Sequence, residues 1–497
     1  MSFADSGLAD LEGPRRSWLG PRRSRLIAWA VTAIMAATVC YSVLGIPLQV
    51  TDSLVPMLDA QRIPSVVAAF AAGATDVGYF RPLRAAQIQA LLEFSHGHYF
   101  LAFKGFQAAM VIVVFALFLL ALEVNSRARV AALLFALTVL MGLHTFRGTV
   151  WEAYPVNHSL EVVAFCLLAL VLSRSKGGRW VDIAASLTFL AAAFTVESGL
   201  LVWVVIVAAR LTGARGISRR ALLVVTLLAA GYLALRFGYL RTGVPALSER
   251  SSGFGLRQVG PDELQRRFGA WPYGFYAYNV VSSILTVLFS EPRAGIWTIP
   301  AEIARGRIAA GTIVNVVSSI VTTAAIGSFV ATRARLWRRL PLERDDQLVF
   351  VSLAVIAANA VISYGYTKDE IMGPAGVFYA LAAFVAVAFL LRSSGADTQS
   401  GTDSVGPRKQ MAALALVLAV ASSGWLVRTA GLHYQMNLMT FYDRNEWVFV
   451  DDWLVKQQSS PTTGAGRALV QQLREDALEH TTVNPYLLSP RLDQWFR

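Results

Sequence analysis

Apolar runs of membrane-crossing length alternate with short polar segments along almost the whole chain. A bilayer core about 30 Å thick needs roughly 20 mostly apolar residues per straight helix. The hydrophobic pattern predicts spans near residues 26–47, 105–122, 130–146, 158–172, 180–195, 198–210, 221–240, 309–331, 347–363, 373–391 and 410–428, about eleven transmembrane helices in all. Several are short for a straight crossing, which implies tilt or burial within the bundle. Residues 276–290 are also apolar, but a crossing there would move the following arginine cluster to the opposite side. They are read as a re-entrant or interfacial helix.

The fold class expected is an all-α integral membrane protein. Residues 1–25 form a polar N-terminal segment, 26–428 the transmembrane region, and 429–497 a small helical cap outside the membrane. Two outer loops are long, 48–104 and 241–308. In the first, residues 83–94 are patterned as an amphipathic helix lying along the interface. Asp59 and Arg62 mark one face of a short surface helix running toward Phe70. The first apolar run is too long for a cleaved leader and lacks an Ala-x-Ala exit, so it is expected to stay as the first span.

Composition agrees with the pattern: 497 residues, 55% apolar and 15% charged, lie outside the range of soluble domains. The distribution of the net charge of +12 is more informative than its size. Arg15, Arg16, Arg22, Arg23 and Arg25 precede the first run. Arg127 and Arg129, then Arg174, Lys176 and Arg179, then Arg215, Arg219 and Arg220, follow later ones. Arg333, Arg335, Arg338, Arg339 and Arg344, and finally Arg392, Arg408 and Lys409, complete the series. All fall on one side, which the positive-inside rule makes cytoplasmic. The N-terminus is then inside and the C-terminus outside. The expected location is the cytoplasmic membrane of a bacterium, in keeping with a chain rich in Ala, Val and Arg. Basic residues are not interleaved with aromatics in one patch, so nucleic acid is not an expected partner. Cys40 and Cys166 both lie inside predicted spans, leaving no disulfide framework and no cysteine metal site.

The outer segments collect the candidate chemistry. Asp52 stands just past the first span, either as a solvated helix-end acid or as a carboxylate with a partner or a task. Arg81-Pro82-Leu83-Arg84 follows in the same loop; the guanidinium is the side chain suited to bidentate phosphate contacts. His144, Arg147, Trp151, Glu152, Tyr154 and His158 crowd a polar-aromatic turn between two spans. Trp151 and Tyr154 also suit an ordinary interfacial belt. Histidine and glutamate in that turn have no tight metal-ligand spacing. Glu161 lies in a predicted span, and Glu197 sits at an outer turn, where an acid can orient an arginine or histidine. Walker, Rossmann, HExxH and GxSxG patterns are absent, so ATP- or NAD-driven chemistry is not suggested.

Together these residues resemble the GT-C class of polytopic glycosyltransferases, and within it the protein O-mannosyltransferases and their tetratricopeptide-carrying relatives. The likeness rests on Asp52-Ser53, on Tyr79-Phe80-Arg81-Pro82-Leu83, on the turn from His144 to His158, and on Val196-Glu197-Ser198-Gly199, and covers roughly the first 210 residues. A fainter echo falls at Asp369-Glu370-Ile371-Met372-Gly373-Pro374. Ser53 stands where the relatives carry a second acid and Val196 where they carry a lysine, and no tetratricopeptide array follows. The resemblance implies a sugar donor on a polyprenyl phosphate and transfer on the outer face, to a glycan, lipid or protein acceptor. Asp52 would be the base, with Arg81, Arg84 and Arg147 holding the phosphate. Glu152 and Glu197 would orient the arginines, with His144 and His158 in support. Loop 241–308, with Trp271, Tyr273, Phe275 and Tyr276, would cover the site. Without a second acid beside Asp52, transfer without a divalent metal is expected, and no cofactor. A lipid-linked sugar flippase and an inactive envelope-polysaccharide assembly protein are the alternatives. The spans are nearly free of charge and polar residues gather on one face, which favours chemistry at a surface over transport.

Overall fold

The computed structural model describes residues 20–76, 79–152, 154–240, 259–289, 297–338, 340–365, 367, 370–396, 405–456 and 464–496. Among them every regular element is helical. Seven helices are long and apolar enough to cross a membrane, or eight if one bent pair counts as a single span. The chain is thus an all-α, multi-pass membrane protein by its helices. The remaining predicted spans are helices of 16, 17 and 11 residues, below straight-crossing length.

The segment after α1 (Pro21–Leu44) holds three helices: α2 (Val50–Gln61), α3 (Val66–Thr75) and α4 (Pro82–Ser95). Then come α5 (Tyr99–Leu120), α6 (Arg127–Gly142) and α7 (His144–Trp151), followed by α8 (His158–Ser173) and α9 (Arg179–Thr195). The chain makes a 3-10 turn at Glu197–Leu200, then forms α10 (Leu201–Leu211) and α11 (Arg219–Leu233), which continues as a π-helical segment, Ala234–Tyr239. The second half runs through α12 (Pro261–Phe268), α13 (Tyr273–Phe289), α14 (Thr298–Ala304), α15 (Ala310–Arg333), α16 (Arg344–Ile362) and α17 (Gly373–Ala396). It ends with α18 (Val405–Val448), α19 (Val450–Lys456), α20 (Gly464–His480) and α21 (Pro490–Phe496).

Helix α17 is the axis of the bundle: 83% of its apolar window is buried, against 33% for α1 and 28% for α11. Its surface of Ala, Val, Phe and Gly explains this, because small residues let neighbouring helices approach closely. Gly373 and Gly376 sit directly against Thr149 and Thr145 of α7. A larger side chain at either glycine would push α7 off the axis.

Three features depart from the hydropathy pattern. The span predicted at 130–146 breaks at Leu143, where the α6 and α7 axes diverge by 63°. The polar-aromatic stretch after it is a two-turn helix rather than a loop. The break is satisfied from outside, since Arg428 Nε donates to the Gly142 carbonyl at 3.1 Å. The last span, predicted to end at 428, belongs to a 44-residue helix that continues to Val448. Hydropathy marks where apolar side chains stop, and a helix in water can run on. Third, the segment 241–308 is largely helical where described, in α12, α13 and α14; residues 241–258 and 290–296 lie outside the described part.

Helix α13 ends partway down α15. Thr323 Oγ1 donates to the Leu288 carbonyl at 2.7 Å, about 20 Å along α15 from its start. Trp297 is already back beside Ser282, donating to its hydroxyl at 3.3 Å and stacking on Tyr278. Helix α13 has 17 residues, below straight-crossing length, and residues 290–296 lie outside the described part; α15 then begins at Ala310, at one end of the bundle. At the opposite end, the arginines of the positive-inside series meet acids of α16 and of the α5–α6 connection. Arg129 pairs with Asp345 at 2.6 Å, Arg333 with Asp346 at 2.6 Å, and Arg344 with Glu123. Arg174 caps α5 through the Ala121 carbonyl. These contacts tie five helices together at this end of the bundle.

A second hydrophobic cluster joins α2, α4, the start of α5 and the C-terminal helices: Leu54, Met57, Ile88, Phe103, Trp447, Leu469 and Leu473 are all buried in it. The C-terminal segment is thereby packed on the segment between α1 and α5.

Candidate functional site: an arginine cluster around Glu197

Pro82 occupies the first turn of α4, where its fixed φ and missing N–H suit a helix start. Arg81 is therefore the N-cap residue. Its backbone N–H donates to the Gly73 carbonyl at 3.3 Å, and a Cβ on Gly73 would come within 2.8 Å of the Pro82 Cα. Glycine at 73 lets α3 press against the start of α4 and fixes where Arg81 begins. Phe80, buried, makes edge contacts with Phe194 of α9 and Tyr232 of α11, at 5.7 and 5.8 Å between ring centres. This aromatic wedge aims the Arg81 side chain at the turn after α9.

Glu197 waits there. Val196 is extended, and the Gly199 N–H returns to its carbonyl at 2.9 Å, forming the 3-10 turn that presents Glu197. Arg81 Nη2 donates to Glu197 Oε2 at 2.7 Å. Arg236 Nη2 donates to the other oxygen, Oε1, at 2.8 Å. Arg236 comes from the π-helical segment, and its Nη1 donates to the Tyr232 hydroxyl at 3.0 Å. Short π-helical stretches within α-helices often mark functional sites, because the extra residue redirects side chains. Burial pushes the Glu197 carboxyl up, but Arg81 and Arg236 outweigh it and hold it at about 2. Glu197 is thus an anion at any physiological pH.

Arg84, one turn along α4 from Arg81, completes the cluster. It lies over the Tyr154 ring, 5.8 Å from its centre, and within the fields of Arg81, Glu152 and Glu197. Burial and the like charge of Arg81 lower its affinity for the proton, while both acids raise it. His158 is buried and stacks on Tyr154 at 5.4 Å. One turn further along both helices, Gln87 donates to Glu161 Oε1 at 2.9 Å. The two helices therefore face each other with polar residues on successive turns. Arg81, Arg84 and Arg236 against Glu197 and Glu152 leave one positive charge in excess. Guanidinium groups held by carboxylates in a half-buried site are suited to bind a phosphate.

The other sequence candidates lie elsewhere. Arg147 and His144 are buried on α7 and hydrogen-bonded to each other; Arg147 also lies over Trp151 at 5.5 Å. His144 Nε2 is 3.5 Å from Asn315 Nδ2 of α15. His144 thereby faces α15. Asp52 is exposed in the first turn of α2 and makes no ion pair with Arg81 or Arg84 among the described residues. Its charged neighbour is Glu446 of α18. Of the fainter echo, Asp369 lies outside the described residues, while Glu370–Met372 forms a 3-10 turn and Gly373 and Pro374 begin α17.

Sequence reasoning passed over Arg236, Lys104 and Arg428, all buried within helices long enough to span. The spans are therefore less free of charge than their hydropathy suggests. Arg428 shows why such residues are tolerated. It donates to the Gly142 and Asn315 carbonyls and to Ser318 and Ser319, and lies 3.9 Å from the centre of the Trp425 ring. One signal was available for Arg236: an isolated arginine close to the end of an otherwise apolar run needs a buried acid. Among the described residues no group of three or more His, Cys, Asp or Glu could hold a metal ion. Comparison with protein-family profiles, with curated proteins and with solved structures finds no match.

Proposed function

We propose that the protein is a membrane glycosyltransferase of the GT-C class. It moves a sugar from a polyprenyl-phosphate donor to an acceptor on the outer face of a bacterial cytoplasmic membrane. The observation that carries the reading is the convergence of Arg81, Arg84 and Arg236 around Glu197 at the end of the bundle opposite the structural ion pairs. In this reading the N-terminus is inside, the C-terminus outside, and the shorter helices α8, α9 and α10 complete about eleven crossings.

The chemistry follows from the charges. The acceptor hydroxyl oxygen attacks the anomeric carbon, the bond from that carbon to the phosphate oxygen breaks, and polyprenyl phosphate leaves. The departing phosphate gains negative charge, which Arg81, Arg84 and Arg236 stabilise because they are already in place. Glu197 keeps two of these arginines from repelling each other. The acceptor proton passes to a carboxylate, for which Asp52 is the candidate in the first outer segment. Its exposure gives it access to an acceptor arriving from water.

Transport is the second reading, favoured by the buried Lys104 and Arg428 within span-length helices. One assay separates the two. Purified protein in lipid nanodiscs is given a polyprenyl phosphate carrying a radiolabelled sugar, together with cell-envelope extract. A transferase releases polyprenyl phosphate and labels the extract, and Arg81→Ala lowers that rate at least a hundredfold. A flippase leaves the donor intact, as does an inactive assembly protein.

A further inference from the structure

Helix α18 reaches past the bundle and places two side chains against the chain just before Asp52. Glu446 Oε2 accepts from the Val50 backbone N–H at 3.2 Å. The amides of a first helical turn lack internal partners, and a carboxylate there also meets the positive end of the helix dipole. The neighbouring Trp447 is buried, and its indole Nε1–H donates to the Leu48 carbonyl at 2.5 Å. The two bonds fall on either side of Gln49, the N-cap residue of α2.

The same helix end reaches the other half of the site. Asp443, one turn before Glu446, is buried and acts electrostatically on Lys104 of α5, which is fully buried. Lys104 Nζ donates to Gln107 Oε1 at 3.0 Å, and Gln107 Nε2 donates to the Val150 and Glu152 carbonyls at 3.0 and 3.1 Å. Glu152 is one of the acids acting on Arg84. The end of α18 is therefore hydrogen-bonded to the chain just before Asp52 and acts electrostatically, through Asp443 on Lys104, on the chain beside the arginine cluster.

We infer that Glu446 and Trp447 are positioning residues that set Asp52 relative to the arginine cluster. The inference rests on Asp52 being the proton acceptor of the proposed transfer. Helix α2 has 12 residues with Pro56 inside it, too short to be stable without outside support. If its first turn is released, the residue that moves is Asp52. The support comes from a residue 396 positions later in the chain.

The test has one arm that needs no activity. A nitroxide is attached to the thiol of an Asp52→Cys variant in nanodiscs, and its mobility is read by electron paramagnetic resonance. Glu446→Ala and Trp447→Phe each loosen the label. Glu446→Gln does not, because the amide oxygen still accepts from Val50. An unchanged spectrum in Glu446→Ala overturns the inference. The second arm measures transfer with Asp52 restored. Glu446→Ala lowers kcat at least tenfold with the donor KM within twofold, and Glu446→Gln recovers most of the rate. If Glu446→Gln is as slow as Glu446→Ala, the negative charge matters rather than the bond to Val50, and the positioning role is overturned. If the label loosens while the wild-type protein consumes no donor, the transferase reading fails and the support of α2 stands.

Discussion

Arg236 donates to one oxygen of Glu197 at 2.8 Å while Arg81 holds the other at 2.7 Å. The Arg236 side chain is 3% exposed and the Glu197 side chain 27%, so this is a partly buried triad and not a solvated surface pair. Removing one member of a buried ion pair leaves its partner charged and uncompensated. Glu197→Gln is therefore expected to cost about 3 kcal/mol, read as lower thermal stability in detergent. It should also weaken donor binding, because Arg81 and Arg236 then repel. Wild-type stability in Glu197→Gln would mean that water screens the triad.

The pH dependence has a defined sign. The folded-state value of Glu197, about 2, lies below its ordinary 4.5. A depressed carboxyl contributes stability that is present above the unfolded value and lost as pH falls through the folded one. The stability gap between wild type and Glu197→Gln should be constant from neutral pH down to about 4.5 and close between there and about 2. Melting curves of the two proteins across that range check it. A gap that closes at neutral pH would contradict the ion-pair assignment.

Asp52 is exposed and serves no structural ion pair with Arg81 or Arg84. Asp52→Asn should abolish transfer while changing stability by less than about 0.5 kcal/mol, as surface substitutions do. Transfer at the wild-type rate in purified Asp52→Asn protein would remove it as the base.

Gly199 sets the turn that carries Glu197. A Cβ there would overlap the Ala192 carbonyl and crowd the Ala193 nitrogen, both backbone atoms that cannot step aside cheaply. Gly199→Ala should displace Glu197 from Arg81 and lower stability by about 2 kcal/mol or more. Gly231→Ala, inside α11 where a Cβ meets no atom within 4 Å, is the control and should not destabilise, since alanine is the better helix former. Equal behaviour of the two variants would show that the turn adapts.

Much of the architecture was legible in the chain. Apolar run length gave the all-α membrane class, and the arginine series picked out the end at which Arg129, Arg333 and Arg344 meet their acids. A helix does follow Pro82 and is α4, one residue longer at each end than the predicted 83–94, but its faces are not segregated as an amphipathic helix requires, since Gln89 is buried and Phe94 exposed. Within the cluster, Arg81, Arg84, His158 and Glu197 were readable because polar residues beside apolar runs stand out. Arg236 was not, because a single cation barely changes the hydropathy of a long run. The bend at Leu143 and the extension of α18 to Val448 were also hidden, since neither changes the apolar count that locates a span.

The sequence by itself determined which segments must be helices buried in lipid, because an unsatisfied backbone in hydrocarbon is too costly to allow anything else. It also determined which polar residues gather at each end. Only the tertiary structure decided which of them meet. Glu197 is 116 residues from Arg81, Glu446 is 396 from Val50, and Arg428 is 286 from Gly142. Such pairings depend on how the helices pack around α17, through contacts such as Gly373 against Thr149 and Phe80 between Phe194 and Tyr232. Periodicity along one helix places a residue on a face, but the neighbour opposite that face is set by packing of the whole bundle.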